Sequence, residues 1–367
     1  MEVKTELAVI GGGPAGLCAA IEAARRGVEV TLVDENLRAG GQLFKQIHRF
    51  FGSEEHLAGI RGVTIGEMLQ EDARKHGVRV LLNTVAWGLF PDRQVGVSSP
   101  DGGVDTLEAR KVVVATGAIE NSLSFPGWTL PNVMGAGAAQ TMVNVHRVLP
   151  GQRVLIVGSG NVGLIVAYQL LQAGAEVVAV VEALPGISGY QVHASKIVRM
   201  GVPILCRHTI LRALGTECVQ KAEIARVDEN FEPVPGSERL LEADLICIAV
   251  GLRPLAELCH MAGVRFQYHP ALGGHVPLHD AGMQTTLPGV YVAGDVSGIE
   301  EASSAMEEGR LAGIAVSLAL GKVDPQAGAR DQAEAVRRLR ALRLGPYGDD
   351  RHEAKEKIVQ SHGVGAR

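Results

Sequence analysis

The sequence predicts an α/β chain of two Rossmann-like dinucleotide-binding domains, the second interrupting the first, each with a small antiparallel β insertion or crossover. Three observations carry this. Gly11-Gly12-Gly13-Pro14-Ala15-Gly16 stands between an apolar run and an Ala-rich stretch. Gly158-Ser159-Gly160-Asn161-Val162-Gly163 repeats that setting further along the chain. Each is followed by a strand-like run ending in an acid, Asp34 or Glu182, and later by a strand closing on Gly117 or Gly251. The halves share an order of parts, which is a duplication of architecture rather than a tandem repeat.

The elements follow from local pattern. Residues 7–10 read as a buried strand, 17–26 as a helix and 28–33 as a second strand. Gly11 permits the tight turn, Gly13 lets the backbone approach a pyrophosphate, and Gly16 lets helix and strand pack closely. Pro14 and Ala15 open the helix, whose N-terminal N–H groups and dipole favour phosphate. Asp34, about 20 residues on, is placed to accept hydrogen bonds from an adenosine ribose. Residues 78–84, 85–89 and 94–99 read as short strands of a small antiparallel sheet, with Pro100-Asp101-Gly102-Gly103 as a turn. Residues 111–117 are a buried strand, and Phe125-Pro126-Gly127-Trp128 with Leu130-Pro131 mark a crossover. The second unit repeats the plan: a strand over 153–157, a helix over 164–173, a strand over 176–181 and a closing strand over 243–251. The chain returns through residues 285–295 to a helix of small residues over 302–320. Beyond Asp324, Arg337, Arg338, Arg340 and Arg343 lie on a short helical stretch before a polar end, read either as a solvated, frayed helix or as a partner-docking element.

Composition bounds the function. The chain has 367 residues, 46% hydrophobic and 20% charged, with 46 glycines, as expected of a soluble two-domain protein. A net charge of −5 gives no reason to expect nucleic acid as a partner. Glycines and Pro14 break the apolar run 7–24, so it reads as a nucleotide fold rather than a leader, and no transmembrane segment is expected. The five cysteines, Cys18, Cys206, Cys218, Cys247 and Cys259, form no CxxC, no metal site and no disulfide framework. Cys18 and Cys247 read as buried apolar residues, which fits a reducing cytoplasm, and disulfide-reductase chemistry lacks its cysteine pair.

In these motifs the chain resembles the two-dinucleotide-binding-domain flavoproteins, the superfamily of thioredoxin reductase and NADH-dependent ferredoxin reductases. The resemblance runs over residues 6–321 and rests on Gly11–Gly16 with Asp34, Gly40-Gly41-Gln42, Ala115-Thr116-Gly117, Gly158–Gly163, Gly251-Leu252-Arg253-Pro254 and Gly294-Asp295. It implies that the first glycine turn binds FAD, with Asp34, Glu35, Gly41, Gln42, Thr116 and Gly117 around it. Gly294 and Asp295 would hold the ribityl and phosphate region, and the helix at Ala302 would point at the flavin pyrimidine edge. The implied domains are 1–122 with 268–325 for FAD, 123–267 for a second nucleotide, and a tail over 326–367. A narrower resemblance rests on residues 40–46, 48–53, 125–131 and 135–140. Those segments look like the A (alpha) subunits of opine oxidases, the B component of hydrogen cyanide synthase and the alpha subunits of dye-linked proline and hydroxyproline dehydrogenases. That group implies a beta subunit of the glycine/D-amino-acid oxidase type, which oxidises an amine C–N bond, and admits an FMN at the subunit interface. Larger members carry a cysteine-rich iron–sulfur domain. No cysteine follows Cys259, so no iron–sulfur cluster is expected in this chain, and a small iron–sulfur protein is an expected partner. Attachment to the inner membrane would come through such partners.

Three functions compete on the sequence. The first is an FAD-containing electron-transfer subunit of an amine or imino-acid dehydrogenase complex. The second is a stand-alone NADH-dependent flavin oxidoreductase, and the third is a scaffold whose nucleotide sites are structural. Gly158, Gly160, Asn161, Val162, Gly163, Glu182 and Gly251 are the candidates for the second nucleotide. Glu182 suits an adenosine 2′-OH and opposes a 2′-phosphate, which favours NADH, while the resemblance also allows ATP there. No catalytic acid or base declares itself. Lys45 and His48 could line a flavin edge or make local hydrogen bonds, and Glu300 and Glu301 suit a helix start on dipole grounds alone.

Overall fold

The computed structural model describes residues 3–345 and 348–363. In chain order they form β1 (Val3–Ile10), α1 (Pro14–Arg25), β2 (Val30–Val33), α2 (Gly62–Lys75), β3 (Arg79–Leu81), β4 (Val85–Leu89), β5 (Gln94–Ser98) and β6 (Val104–Val114). There follow β7 (Ala118–Glu120), β8 (Val133–Gly135), α3 (Ala136–Asn144), β9 (Arg153–Val157), α4 (Asn161–Gln172), β10 (Glu176–Glu182), α5 (Gln191–Arg199) and β11 (Ile204–Cys206). Next come β12 (His208–Leu214), β13 (Lys221–Arg226), β14 (Arg239–Glu242), β15 (Leu245–Ile248), β16 (Leu252–Pro254), α6 (Glu257–Met261), β17 (Phe266–His269) and β18 (Gly274–Pro277). The chain ends in β19 (Val290–Val292), α7 (Ala302–Ala319), α8 (Pro325–Arg343) and α9 (Asp349–Gly363).

Two compact units result, Met1–Ile119 with Arg253–Arg367, and Glu120–Leu252. In the first, a seven-stranded sheet runs β3-β2-β1-β6-β5-β4, with β19 also paired to β6. The strands β3, β2, β1, β6 and β19 are parallel to their neighbours, while β4 and β5 extend β6 as an antiparallel flap. Apolar residues cover both faces, as a parallel sheet requires. Leu7, Val9, Leu32 and Val113 belong to one core, and Ala8, Ile10, Val33, Val112 and Val114 to the other. The second unit has the parallel order β11-β10-β9-β15-β8 and a three-stranded antiparallel sheet β12-β13-β14. Val154 and Ile156 face one of its cores, Leu155 and Val157 the other.

Four sequence expectations shift. Both glycine-turn helices begin earlier than residues 17 and 164, at Pro14 and Asn161, because the turn itself delivers the N-cap through Gly13 and Gly160. The run 78–84 is not part of an antiparallel sheet. Its core, β3, pairs in parallel with β2, placing Leu81 beside Val33, and Asn83 at φ +53° separates it from β4. Residues 253–267, expected with the second nucleotide, pack in the first unit, where Ala256, Leu258, Cys259 and Val264 share a core with Ile10 and Val114. The tail is neither short nor frayed over its described part. It forms α8, capped by Asp324, whose side chain accepts from the Gln326 and Ala327 N–H groups at 3.0 Å, and then α9. Ala354 and Ile358 of α9 are buried with Leu272, Val276 and Leu278. Among the described residues, no helix is long and apolar enough to cross a membrane.

Candidate functional site

The two glycine turns are built alike, and within each the glycines answer to different constraints. Gly11 has φ +101°, and a Cβ there would strike the Ala115 carbonyl; a Cβ on Gly16 would strike the Gly11 carbonyl. A Cβ on Gly13 would meet nothing within 4 Å. The outer glycines are therefore fixed by packing, and Gly13, the N-cap of α1, faces open space beside the unsatisfied N–H groups of the helix start. In the second unit Gly158 has φ +106° and would strike the Ala249 carbonyl, and Gly163 would strike the Gly158 carbonyl. Gly160 has only the Ser188 hydroxyl within reach, at 3.9 Å.

The acids after each second strand are also matched. Asp34 accepts the Gly12 N–H at 2.6 Å on Oδ2, and the Asn36 N–H and side-chain amide at 2.8 and 2.9 Å on Oδ1. Glu182 accepts the Ser159 N–H at 2.9 Å and hydroxyl at 2.5 Å, the Leu184 N–H at 3.0 Å and the Ser188 hydroxyl at 3.2 Å. Each carboxylate thus holds the second residue of its own turn. The following loops return in the same manner, with Gly40 N–H donating to the Gly12 carbonyl at 2.6 Å and Gly189 N–H to the Ser159 carbonyl at 2.9 Å. Tyr190 N–H donates to Asn161 Oδ1 at 2.8 Å at the start of α4, where Val162 is exposed. Glu35 and Gln42 are also exposed, and Gly41 closes over the Gly13 Cα.

The remaining first-unit candidates converge on the same turn. After β6, the Thr116 hydroxyl donates to the Leu255 carbonyl at 2.6 Å, and Leu255 N–H donates to the Gly117 carbonyl at 3.0 Å. Gly117, at φ +77°, has open space in front of it. Gly294, at φ +78°, would bring a Cβ to 2.8 Å from the Ala15 side chain, and a Cβ on Gly309 would strike the Ala15 carbonyl. Small residues on α1 and α7 therefore let the Gly294-Asp295 loop lie against the first turn of α1. Ala302 opens α7 behind its N-cap Glu301. In the second unit Gly251, at φ +106°, accepts the Asn121 N–H at 3.0 Å.

Asp295 keeps partial solvent exposure yet is ringed by protein atoms. Loss of hydration pushes its carboxyl up to about 7, against the Glu300 N–H that it accepts at 3.2 Å. Beneath it lies a charge cluster that the sequence pattern did not reveal. Glu308 accepts the Gly294 N–H and the Ser297 hydroxyl, both at 2.8 Å. Arg343 and Lys355 reach Glu308 at 2.5 and 2.7 Å, and Arg343 also pairs with Glu300. These cations hold the Glu308 carboxyl below its ordinary range despite burial. The available signal is Glu307-Glu308, two adjacent acids that with Arg310 interrupt a helix of otherwise small and apolar residues.

The cysteines form no pair, although Cys206 lies beside Glu182 across the β10–β11 ladder. All five are free, and burial pushes the Cys18 thiol up to about 11 and the Cys259 thiol to about 12.

Residues 5–309 match the family described as pyridine nucleotide-disulphide oxidoreductase. The chain is 32% identical over 342 residues to the A-type subunit of opine oxidase from Agrobacterium tumefaciens strain Ach5, covering 88% of this chain and 67% of that one. The corresponding opine oxidase subunit of Rhizobium meliloti is 28% identical, with 63% of its own length spanned. The HcnB subunit of hydrogen cyanide synthase from Pseudomonas aeruginosa is 28% identical over 369 residues, covering 94% of this chain and 77% of that one. The fold is that of T. acidophilum thioredoxin reductase, at TM-score 0.72 and 22% identity over 86% of this chain and 99% of that one. L-proline dehydrogenase from P. horikoshii gives 0.68 and 24% identity over 91% of this chain and 59% of that one. The chain belongs to the pyridine nucleotide-disulphide oxidoreductase family and is an FAD-dependent oxidoreductase.

Proposed function

We propose that the chain is the FAD-bearing, electron-transferring subunit of an amine or imino-acid dehydrogenase complex of the opine, proline or hydroxyproline class. A beta subunit of the glycine/D-amino-acid oxidase type would select and oxidise the substrate. The observation that carries this is the run of similar chains named as subunits of oxidases and synthases. The thiol chemistry supports it, since none of the five cysteines is paired and the buried ones resist ionisation.

The first unit fits FAD. The open face of Gly13 with the α1 N-terminus suits a pyrophosphate, and the partly exposed, poorly hydrated Asp295 suits hydroxyl donors. Asp34 and Glu35 would serve the adenosine side, Gly41 and Gln42 the loop above it, and Thr116, Gly117, Gly294 and Ala302 the remainder. Bound FAD supplies the electron carrier; the protein supplies orientation and local charge. The second turn, with Gly160 open, suits an adenine nucleotide, NADH or ATP. An FMN at the subunit interface and a small iron–sulfur protein complete the proposed electron path, in the cytoplasm or at the inner membrane through partners.

The alternative is a stand-alone NADH-dependent flavin oxidoreductase, favoured by the preserved geometry of the second turn. Mass spectrometry of chains and cofactors that copurify from native cells separates the two. FAD with an oxidase-type second chain supports the subunit reading. A lone chain whose flavin is rapidly reduced by NADH overturns it.

A further inference from the structure

The C-terminal helices carry cations into the buried end of α7. Arg338 of α8 meets Glu307 at 3.0 Å, and Arg343 meets Glu308 and Glu300, each at 2.5 Å. Lys355 of α9, 3% exposed, reaches the Ser297 hydroxyl and Glu308, each at 2.7 Å. Glu308 in turn accepts the Gly294 N–H at 2.8 Å. An unbroken chain of charge-assisted hydrogen bonds therefore leads from α9 to the backbone of the Gly294-Asp295 loop. The apolar face of α9, through Ala354 and Ile358, seats it on Leu272 and Val276 beside that loop. These cations come from beyond residue 309, where the family match ends.

We propose that α8 and α9 form a built-in clamp on the flavin loop, with Lys355 and Arg343 as positioning residues that act through Glu308 on Gly294 and Asp295. The clamp rests on the FAD reading of the first unit. Its physical logic is the asymmetry of buried charge. Two carboxylates, Glu300 and Glu308, are matched by two cations, and removal of one cation leaves a buried anion without compensation. The carboxylate then draws in water or turns away, and Gly294 loses its acceptor. The inner face of the tail is thus part of the site.

The test uses the full chain and its FAD. Lys355→Met is expected to fold, to bind FAD at least tenfold more weakly in a titration of flavin fluorescence, and to change the visible circular dichroism of the bound flavin. Adding Glu308→Gln, which keeps an acceptor for Gly294 N–H and removes the orphaned charge, is expected to recover most of the affinity. Arg343→Met likewise removes one of the two cations, is expected to weaken FAD binding in the same way, and serves as the second variant if Lys355→Met does not fold. Wild-type affinity and spectrum in whichever variant folds overturn the clamp alone, even where thermal stability falls. A wild-type chain that binds no FAD overturns both the clamp and the reading on which it rests.

Discussion

Gly294 and Glu308, 14 residues apart in sequence, are joined by a hydrogen bond of 2.8 Å from backbone N–H to carboxylate. The bond fixes the peptide that leads into Asp295, and Asp295 is the acid whose titration the structure disturbs most usefully. Burial pushes its carboxyl up to about 7, far above the ordinary aspartate value.

The first prediction follows from that shift. A carboxyl raised in the folded state stabilises the fold fully below its unfolded pKa and loses that contribution as pH rises through the folded value. Flavin-free protein should therefore lose stability between about pH 4 and 7 through Asp295, by at most about 4 kcal/mol. His279, pushed down to about 4 by burial and by Lys355, works in the opposite direction, losing its contribution as pH falls from 6.5 toward 4. If hydroxyls of FAD donate to ionised Asp295, FAD should bind more tightly as pH rises through 7. Titrations at pH 6 and pH 8 check this, and Asp295→Asn should flatten the dependence. A pH-independent wild-type affinity would remove Asp295 from the flavin site.

The glycines of the first turn should separate by phenotype. Gly13→Trp fills open space and should leave a folded chain depleted of FAD, because the side chain would occupy the pyrophosphate position. Gly16→Val collides with the Gly11 carbonyl and should cost several kcal/mol of stability, on the order of other overpacked core sites. Thermal melts and flavin content read the two effects apart.

That separation shows what was legible in the sequence. GxGxxG spacing with strand and helix patterns gave both turns, the terminal acids and the late strands, since these depend on local periodicity and backbone freedom. The roles of Lys355, Arg343 and Glu308 were not legible, because their meaning arises from α8 and α9 folding back on α7 across 35 and 47 residues. Asp34 and Glu182 show an intermediate case. Their positions followed from spacing, but their bonds to Gly12 and Ser159 depend on loop closure.

Any nicotinamide nucleotide at the second turn should be NADH in preference to NADPH. Glu182 is held beside Ser159 and would oppose a 2′-phosphate, by about tenfold or more at contact distances. Stopped-flow bleaching with both nucleotides tests this. Faster reduction by NADPH would refute the role of Glu182, and reduction by neither would favour ATP or a structural turn.

Iron should be near zero in the isolated chain, since no cysteine follows Cys259 and all five are scattered and free. Elemental analysis checks it. The isolated chain should likewise fail to turn over amino acids, opines or proline analogues with a dye acceptor until a beta subunit is added.

The identity and amount of flavin released from the purified chain on denaturation, compared with Gly13→Trp, decide whether the first glycine turn holds FAD. Close to one FAD per wild-type chain, no FMN bound by the chain alone, and little FAD in the variant are expected. FMN in place of FAD, no flavin, or full FAD retention by a folded Gly13→Trp protein would contradict that assignment.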